Sequence, residues 1–258
     1  MIKRELIYFL TAVMFFTRIP IPFKVPYSSE IMNKSQKYFP LIGYIVGAMS
    51  VLVYICASYL FSKEIAIVLS IIGTVLLTGA FHEDGFTDIC DSFGGGYGKE
   101  KIMTIMKDSR IGAYGVIGIV LLLLLKFLAL VELAHLSTSL LLITMINGHV
   151  TSRFAAATAI YTHKYVRDTD DSKSKPMAQQ KPSYTSLLCS LILTIIPYIL
   201  FDSWLFIIPF FVCYLGKMYL TMYFKKHIGG YTGDCLGTIQ QVCEVLFYLT
   251  TLTLWKFM

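Results

Sequence analysis

Charged residues are scarce in this chain, and several familiar signatures are missing altogether. Only 15% of its 258 residues are Asp, Glu, Lys or Arg, against about 25% in an ordinary soluble domain. With 56% hydrophobic residues and a mean hydropathy of +0.66, a soluble core could not hide the apolar content. The six cysteines (Cys56, Cys90, Cys189, Cys213, Cys235 and Cys243) form no C-x-x-C pair and mostly lie in apolar runs, so they read as packing residues. The net charge of +6 is scattered over connections without a compact basic patch, which argues against a nucleic-acid partner. No A-x-A-like cleavage site follows the short apolar run 6–16. Thr17-Arg18-Ile19-Pro20-Ile21-Pro22 stands there instead, and the run is expected to be retained. Neither an internal repeat nor a soluble domain is visible. The longest polar stretch, 163–183, reads as a mobile loop, and residues 1–258 read as a single integral-membrane domain.

What the chain does have is a series of apolar runs close to the length a helix needs to cross a bilayer, about 20 residues. They cover 39–61, 65–81, 111–131, 136–161, 184–201, 204–224 and 236–255. Backbone amides in lipid must bond within their own segment, and runs of this length with Gly and Pro interruptions read as helices and not as barrel strands. The expected fold is all-α: a polytopic helical membrane bundle of about seven transmembrane helices, plus a short N-terminal helix that is re-entrant or interfacial.

Arg18, Lys24, Lys34 and Lys37, then Lys99, Lys101, Lys107 and Arg110, then the basic residues of 163–183, then Lys225 and Lys226 fall on alternate connections. The positive-inside rule places those connections in the cytoplasm and the chain in the cell (inner) membrane as a multi-pass protein.

The segment His82-Glu83-Asp84-Gly85-Phe86-Thr87-Asp88-Ile89-Cys90-Asp91 puts Asp84, Asp88 and Asp91 at i, i+4 and i+7, on one face of a helix. Three carboxylates that converge repel one another, and a hard cation such as Mg²⁺ offsets that cost. Gly94, Gly95, Gly96 and Gly98 end the helix and could let amides approach a phosphate, or serve only as a terminator. Lys107, Ser109 and Arg110 offer cationic and hydroxyl donors to phosphate oxygens. Asn147, His149 and Arg153 interrupt the fourth run. Asp234, Gly237, Gln241 and Glu244 form a polar stripe on the last one, where a carboxylate at depth costs about 3 kcal/mol unless it is partnered. Glu244 and Arg153 are expected to line the same interior cavity as the acidic motif.

Five ordered blocks then carry a resemblance: Thr17 to Pro22, Phe39-Pro40-Leu41-Ile42-Gly43, Gly79 with His82 to Asp91, Ile105-Met106-Lys107-Asp108-Ser109-Arg110-Ile111-Gly112 with Gly115, and Gly229-Gly230-Tyr231-Thr232-Gly233-Asp234-Cys235-Leu236-Gly237 with Glu244, alongside Ser152-Arg153. With these the chain resembles the cobalamin synthase family, the adenosylcobinamide-GDP ribazoletransferases. Lys107 stands where that family usually has Arg, and Gln241 where it often has Glu.

The resemblance implies transfer of the adenosylcobinamide-phosphate moiety of adenosylcobinamide-GDP to α-ribazole or its 5′-phosphate, with release of GMP. It implies the ribazole 5′-hydroxyl or 5′-phosphate as the attacking group. Mg²⁺ is the implied cofactor, with Asp84, Asp88 and Asp91 as its ligands. Lys107, Ser109, Arg110, Arg153 and Asp234 become the substrate phosphate-binding set, and His82 or Asp108 the base. Membrane lipid is the other expected partner, and self-association into a homo-oligomer stays open. CDP-alcohol phosphotransferases, prenyltransferases acting on diphosphates and an ion-coupled transporter using Arg153 and Glu244 are the alternatives.

Overall fold

The computed structural model describes residues 2–167 and 183–258. The expected loop 163–183, with Lys173, Lys175 and Lys181, falls largely outside them. Among the described residues the chain is helical and carries no strand, only an isolated backbone bridge between Tyr165 and Tyr231. The helices are α1 (Ile2–Phe16), α2 (Ser29–Ser35), α3 (Phe39–Ser58), α4 (Lys63–Thr78), α5 (Phe81–Gly95), α6 (Lys99–Ile105), α7 (Ala113–Leu136), α8 (Thr138–Thr162), α9 (Tyr184–Ile195), α10 (Ile208–Ile228) and α11 (Gly233–Lys256).

Four helical segments are long and apolar enough to cross a membrane: Ser29–Ser58, Ala113–Leu136, Trp204–Ile228 and Gly233–Lys256. α4 and α5 make a fifth only as a pair, bent by 90°. The seven apolar runs therefore do not translate into seven equivalent spans. Run 184–201 becomes α9 plus a 3₁₀ turn, Ile196–Leu200, opened by Pro197. Run 136–161 becomes α8, long enough at 25 residues but too polar to qualify. The N-terminal run extends to the 15 residues of α1, still short of a crossing.

α8 is polar because it is the centre of the bundle. Every residue from Asn147 to Ile160 is buried, so its hydroxyl, amide and charged groups meet protein and not lipid. Small residues bring its neighbours close: a Cβ at Gly43 of α3 would fall 2.6 Å from both the His149 carbonyl and the Val150 Cα. Peripheral α7 is the reverse. Ile117, Val120, Leu121, Leu124 and Leu128 are all exposed, an apolar face suited to lipid.

The bend between α4 and α5 is made by two consecutive left-handed residues, Gly79 (φ 68°) and Ala80 (φ 58°). For alanine this region is sparsely populated. A side chain at Gly79 would collide with the Arg18 guanidinium, and the Arg18 amide donates to the Leu77 carbonyl at 2.7 Å. The Thr-Arg-Ile-Pro segment thus buttresses the corner. Beyond it α5, too polar for lipid, lies outside the apolar span of α4 and carries the acidic motif.

Candidate functional site

α5 packs against α11, and glycine sets the distance. A Cβ on Gly85 would sit 3.0 Å from the Asp234 Cα, and one on Gly237 3.1 Å from the His82 carbonyl. The Thr238 hydroxyl donates to the Gly85 carbonyl at 3.4 Å. This close approach sets Asp234, at the N-terminus of α11, beside Asp84 and Asp88. Asp84 is exposed and Asp88 half-buried. Burial, with Asp234 and Asp84 next in weight, pushes the Asp88 carboxyl up to about 7.

Among the described residues one cation pairs with this cluster directly. Arg167 Nη1 donates to Asp234 Oδ2 at 3.2 Å. It is delivered by the Tyr165–Tyr231 bridge, in which the Val166 amide donates to Tyr231 O (3.0 Å) and the Tyr231 amide to Lys164 O (2.9 Å). Gly230 is needed there, since a side chain would strike the Lys164 carbonyl. Thr232 caps α11, accepting from the Cys235 amide at 3.4 Å. In the sequence Arg167 is one of the basic residues of 163–183, with nothing local to set it apart from a topological charge.

Asp91 departs from the expected set. Its Oδ2 accepts from the Gly112 amide at 2.7 Å and its Oδ1 from the Gly115 amide at 2.8 Å, so it caps the N-terminus of α7 from a neighbouring helix. Helical spacing puts three aspartates on one side of α5, but the amides of α7 engage the third. Among the described residues no three His, Cys, Asp or Glu side chains are gathered tightly enough to hold a metal ion. The donor chemistry that fits a hard divalent cation is that of Asp84, Asp88 and Asp234: oxygen ligands on two helices whose charges oppose one another.

His82 is buried and its ring lies parallel to Phe16, centroids 6.0 Å apart. Burial, and then Arg153, hold the imidazole well below its ordinary pKa, so it is neutral and resists taking a charge. Asp108, the other expected base, sits on an exposed turn, where hydrogen bonds from Arg110 hold it at about 2. A carboxylate that acidic is a poor base. Lys107, Ser109 and Arg110 are exposed on the same turn. Arg110 Nη2 pairs with Asp108 Oδ2 at 2.7 Å, and nothing in its contacts joins it to the carboxylate cluster.

Deeper along α11 lies a second, closed set of charges. Glu244 is fully buried and forms an ion pair with Lys126 of α7. His149 Nδ1 lies 3.2 Å from Glu244 Oε2, Gln240 Nε2 donates to that oxygen at 2.7 Å, and the Tyr248 hydroxyl donates to Oε1 at 3.0 Å. Glu244 therefore does not line a cavity with the acidic motif, contrary to expectation. Its partners saturate it. Arg153 does line one: its Nη1 donates to the His149 carbonyl at 3.1 Å, while its Nε, also buried, has no partner. Lys126 escaped notice in the sequence, although a lysine inside an unbroken leucine-rich run is itself a signal for a buried acid. Glu83 accepts from Gln241 Nε2 at 2.9 Å and so ties α5 to α11.

Comparison with known proteins covers nearly the whole chain. The model of the cobalamin-5-phosphate synthase family matches residues 8–252. A relative from Shewanella amazonensis named adenosylcobinamide-GDP ribazoletransferase is 44% identical over 254 residues, covering 98% of both chains. Proteins of the same name from Vibrio cholerae (44% over 252 residues, 97% of this chain and 95% of the relative) and Vibrio parahaemolyticus (43% over 255 residues, 96% and 92%) are similar. No solved structure matches. The chain belongs to the cobalamin-5-phosphate synthase family.

Proposed function

We propose that this protein transfers the adenosylcobinamide-phosphate moiety of adenosylcobinamide-GDP to α-ribazole or α-ribazole 5′-phosphate, releasing GMP and completing the cobamide nucleotide loop. The observation that carries the reading is the cluster of Asp84, Asp88 and Asp234 with Arg167 at its edge, built from the motifs shared with the family. The family's description, a synthase of a cobalamin 5-phosphate, bears on the nucleophile. If the 5′-phosphate survives in the product, the attacking oxygen is another ribose hydroxyl and not the 5′ oxygen.

In the reaction a ribose oxygen forms a bond to the cobinamide-linked phosphorus, the bond from that phosphorus to the GMP oxygen breaks, and the hydroxyl proton leaves to a base. Asp84, Asp88 and Asp234 would hold Mg²⁺, which when bound supplies charge neutralisation on the pyrophosphate. Arg167 adds a guanidinium whose fork suits phosphate oxygens, and it can exchange Asp234 for substrate. His82, neutral and on the same helix as Asp84, can take the proton, as a weak base whose pKa burial holds down. Exposed Lys107 and Arg110 act as outer guides for a polyanionic substrate, since their flexible charges sit in water.

Lys99 Nζ comes within 3.9 Å of a Cβ built on Gly229, and His227 packs against Phe93 at 5.9 Å, which brings the connections before α6 and α11 to the end of α5. By the positive-inside rule that end faces the cytoplasm of the cell membrane. Incubation of the purified protein with adenosylcobinamide-GDP, either form of ribazole and Mg²⁺ should yield GMP and a cobamide. No turnover with either acceptor by folded protein would overturn the proposal, and activity indifferent to chelator would remove Mg²⁺ from it.

A further inference from the structure

Residues 1–38 carry six cations against two carboxylates, Glu5 and Glu30, a surplus that the transfer chemistry does not use. Two of the six are matched locally. Lys34 pairs with Glu30 and Lys37 with Glu5, and the Lys37 ammonium sits 5.4 Å from the Tyr8 ring centroid and 5.3 Å from that of Tyr38. Lys3 and Arg4, exposed on the first turn of α1, pair with no carboxylate among the described residues. Their helix is too short to cross a bilayer and also exposes Leu6 and Met14, the make-up of a segment that lies at a membrane surface. Lys37 and Tyr38 belong to the 3₁₀ turn Gln36–Tyr38, which runs straight into apolar α3. Two helices are tied to this turn. The Tyr38 hydroxyl donates to Glu5 Oε2 of α1 at 2.7 Å, and the Ser190 hydroxyl of α9 donates to the Lys37 carbonyl at 2.9 Å. The Tyr44 hydroxyl, donating to the Leu193 carbonyl at 2.7 Å, holds α9 along α3. A groove of about 480 Å³ remains, lined by Glu5 of α1, by Lys37 and Tyr38 of the turn, and by Cys189, Ile192 and Leu193 of α9.

We infer that this groove seats one anionic glycerophospholipid, an acyl chain lying against Cys189, Ile192 and Leu193 and the phosphate held among Lys3, Arg4 and Lys37. The inference does not depend on the transfer reaction. Charge complementarity selects the occupant: each basic residue close to an anionic lipid surface adds attraction, and a zwitterionic headgroup has no net charge with which to answer the surplus. A free phosphate would use the cations and leave the aliphatic side of the groove unmatched, and a neutral lipid would do the reverse. An anionic phospholipid meets both needs in one molecule. The level of the groove agrees, because its charged turn stands where the apolar stretch of α3 begins, the depth at which headgroups give way to hydrocarbon. Ile192 is 53% exposed, open to a chain laid along α9.

The test uses Cys189, which lines the groove and is exposed. Cys56→Ser and Cys90→Ala remove the other two cysteines that are not buried. The full chain in neutral detergent is titrated with phosphatidylglycerol, with phosphatidylcholine of the same chains, or with glycerol 3-phosphate, and the rate of Cys189 alkylation by N-ethylmaleimide is followed by mass spectrometry. Phosphatidylglycerol should protect Cys189, reaching half-protection at a micellar mole fraction at least about tenfold lower than phosphatidylcholine needs, the ratio that about 1.4 kcal/mol gives. Glycerol 3-phosphate should not protect. Lys3→Gln with Arg4→Gln, at two exposed positions, should bring phosphatidylglycerol to the level of phosphatidylcholine and leave the lipid-free rate unchanged. Equal protection by the two lipids, no protection by either, protection by glycerol 3-phosphate, or an undiminished preference in the double variant would overturn the inference. If the cysteine replacements do not fold, native mass spectrometry of the unmodified protein gives the same decision. Wild type should retain phosphatidylglycerol in preference to phosphatidylcholine, and Ile192→Trp, which fills the groove, should lose that preference. Retention without preference, or unchanged in Ile192→Trp, would equally end it.

Discussion

Two charge clusters lie along α11, centred on Asp234 and Glu244, ten residues or about 15 Å apart at the helical rise. They are opposites. Around Glu244 each carboxylate oxygen has its partners in Lys126, His149, Gln240 and Tyr248, all drawn from the bundle interior. Around Asp234 negative charge is in excess among the described residues: two further aspartates face it, and Arg167 pairs with it. A sealed network can hold a fold together, whereas an unbalanced one is ready for a cation and a phosphate. Charge in a membrane protein is informative chiefly through what it lacks.

The difference can be broken first at Asp88. Asp88→Asn preserves shape and removes one charge from the unbalanced cluster, so turnover should fall by at least about 10³-fold, equivalent to about 4 kcal/mol in the barrier. The thermal midpoint in detergent should not fall. Near-normal activity would mean that the excess charge has no chemical use.

At the sealed cluster the loss should appear in stability. Glu244→Gln leaves the Lys126 ammonium buried without its counter-ion and should cost about 3 kcal/mol, read from reversible unfolding in mixed micelles. Adding Lys126→Met should restore part of that. A double variant as unstable as the sum of both singles would show that the pair is not coupled.

Asp91 sharpens the contrast because it sits on the acidic helix yet is satisfied. Asp91→Ala removes two amide hydrogen bonds at the start of α7 and should cost about 2 kcal/mol of stability, with turnover under saturating Mg²⁺ falling less than about tenfold. Loss of activity as deep as that of Asp88→Asn would return Asp91 to the ligand set.

The smallest effect concerns pH. Asp88 holds its proton up to about 7 in the folded, cation-free protein, against about 3.9 in an unfolded chain. The folded state therefore binds the proton more tightly. Its contribution to stability is complete below about pH 4 and is lost as pH rises through 7. A Tm-versus-pH slope between 4 and 7 in chelator should flatten in Asp88→Asn. An unchanged slope would place the titration elsewhere.

Much of this was legible in the residues. The all-α membrane class followed from composition, and the acidic helix from i, i+4, i+7 spacing, because both depend on local chemistry. What local chemistry does not give is the set of partners distant in sequence. Asp91 is indistinguishable from Asp84 on a helical wheel, and only the amides of Gly112 and Gly115 set it apart. At the corner Gly79 and Ala80 turn the chain near the end of an apolar run, so that α4 and α5 are apolar and long enough for a span only as a bent pair. Polar α8 is another case: its hydroxyls and Arg153 signal an interior helix, but which helices enclose it is a matter of packing.

The contact of α5 with α11 joins residues far apart in order of synthesis: Glu83 meets Gln241 across 158 positions and Gly85 meets Thr238 across 153. At a translation rate of about 5–20 residues per second, the acidic helix waits roughly 8–30 s at the ribosome for the segment that packs against it. Until then Asp84 and Asp88 have neither Asp234 nor the tie to Gln241. A nascent or prematurely terminated chain can thus insert most of its apolar helices while remaining chemically silent, so the ability to handle nucleotide is acquired only by a finished polypeptide.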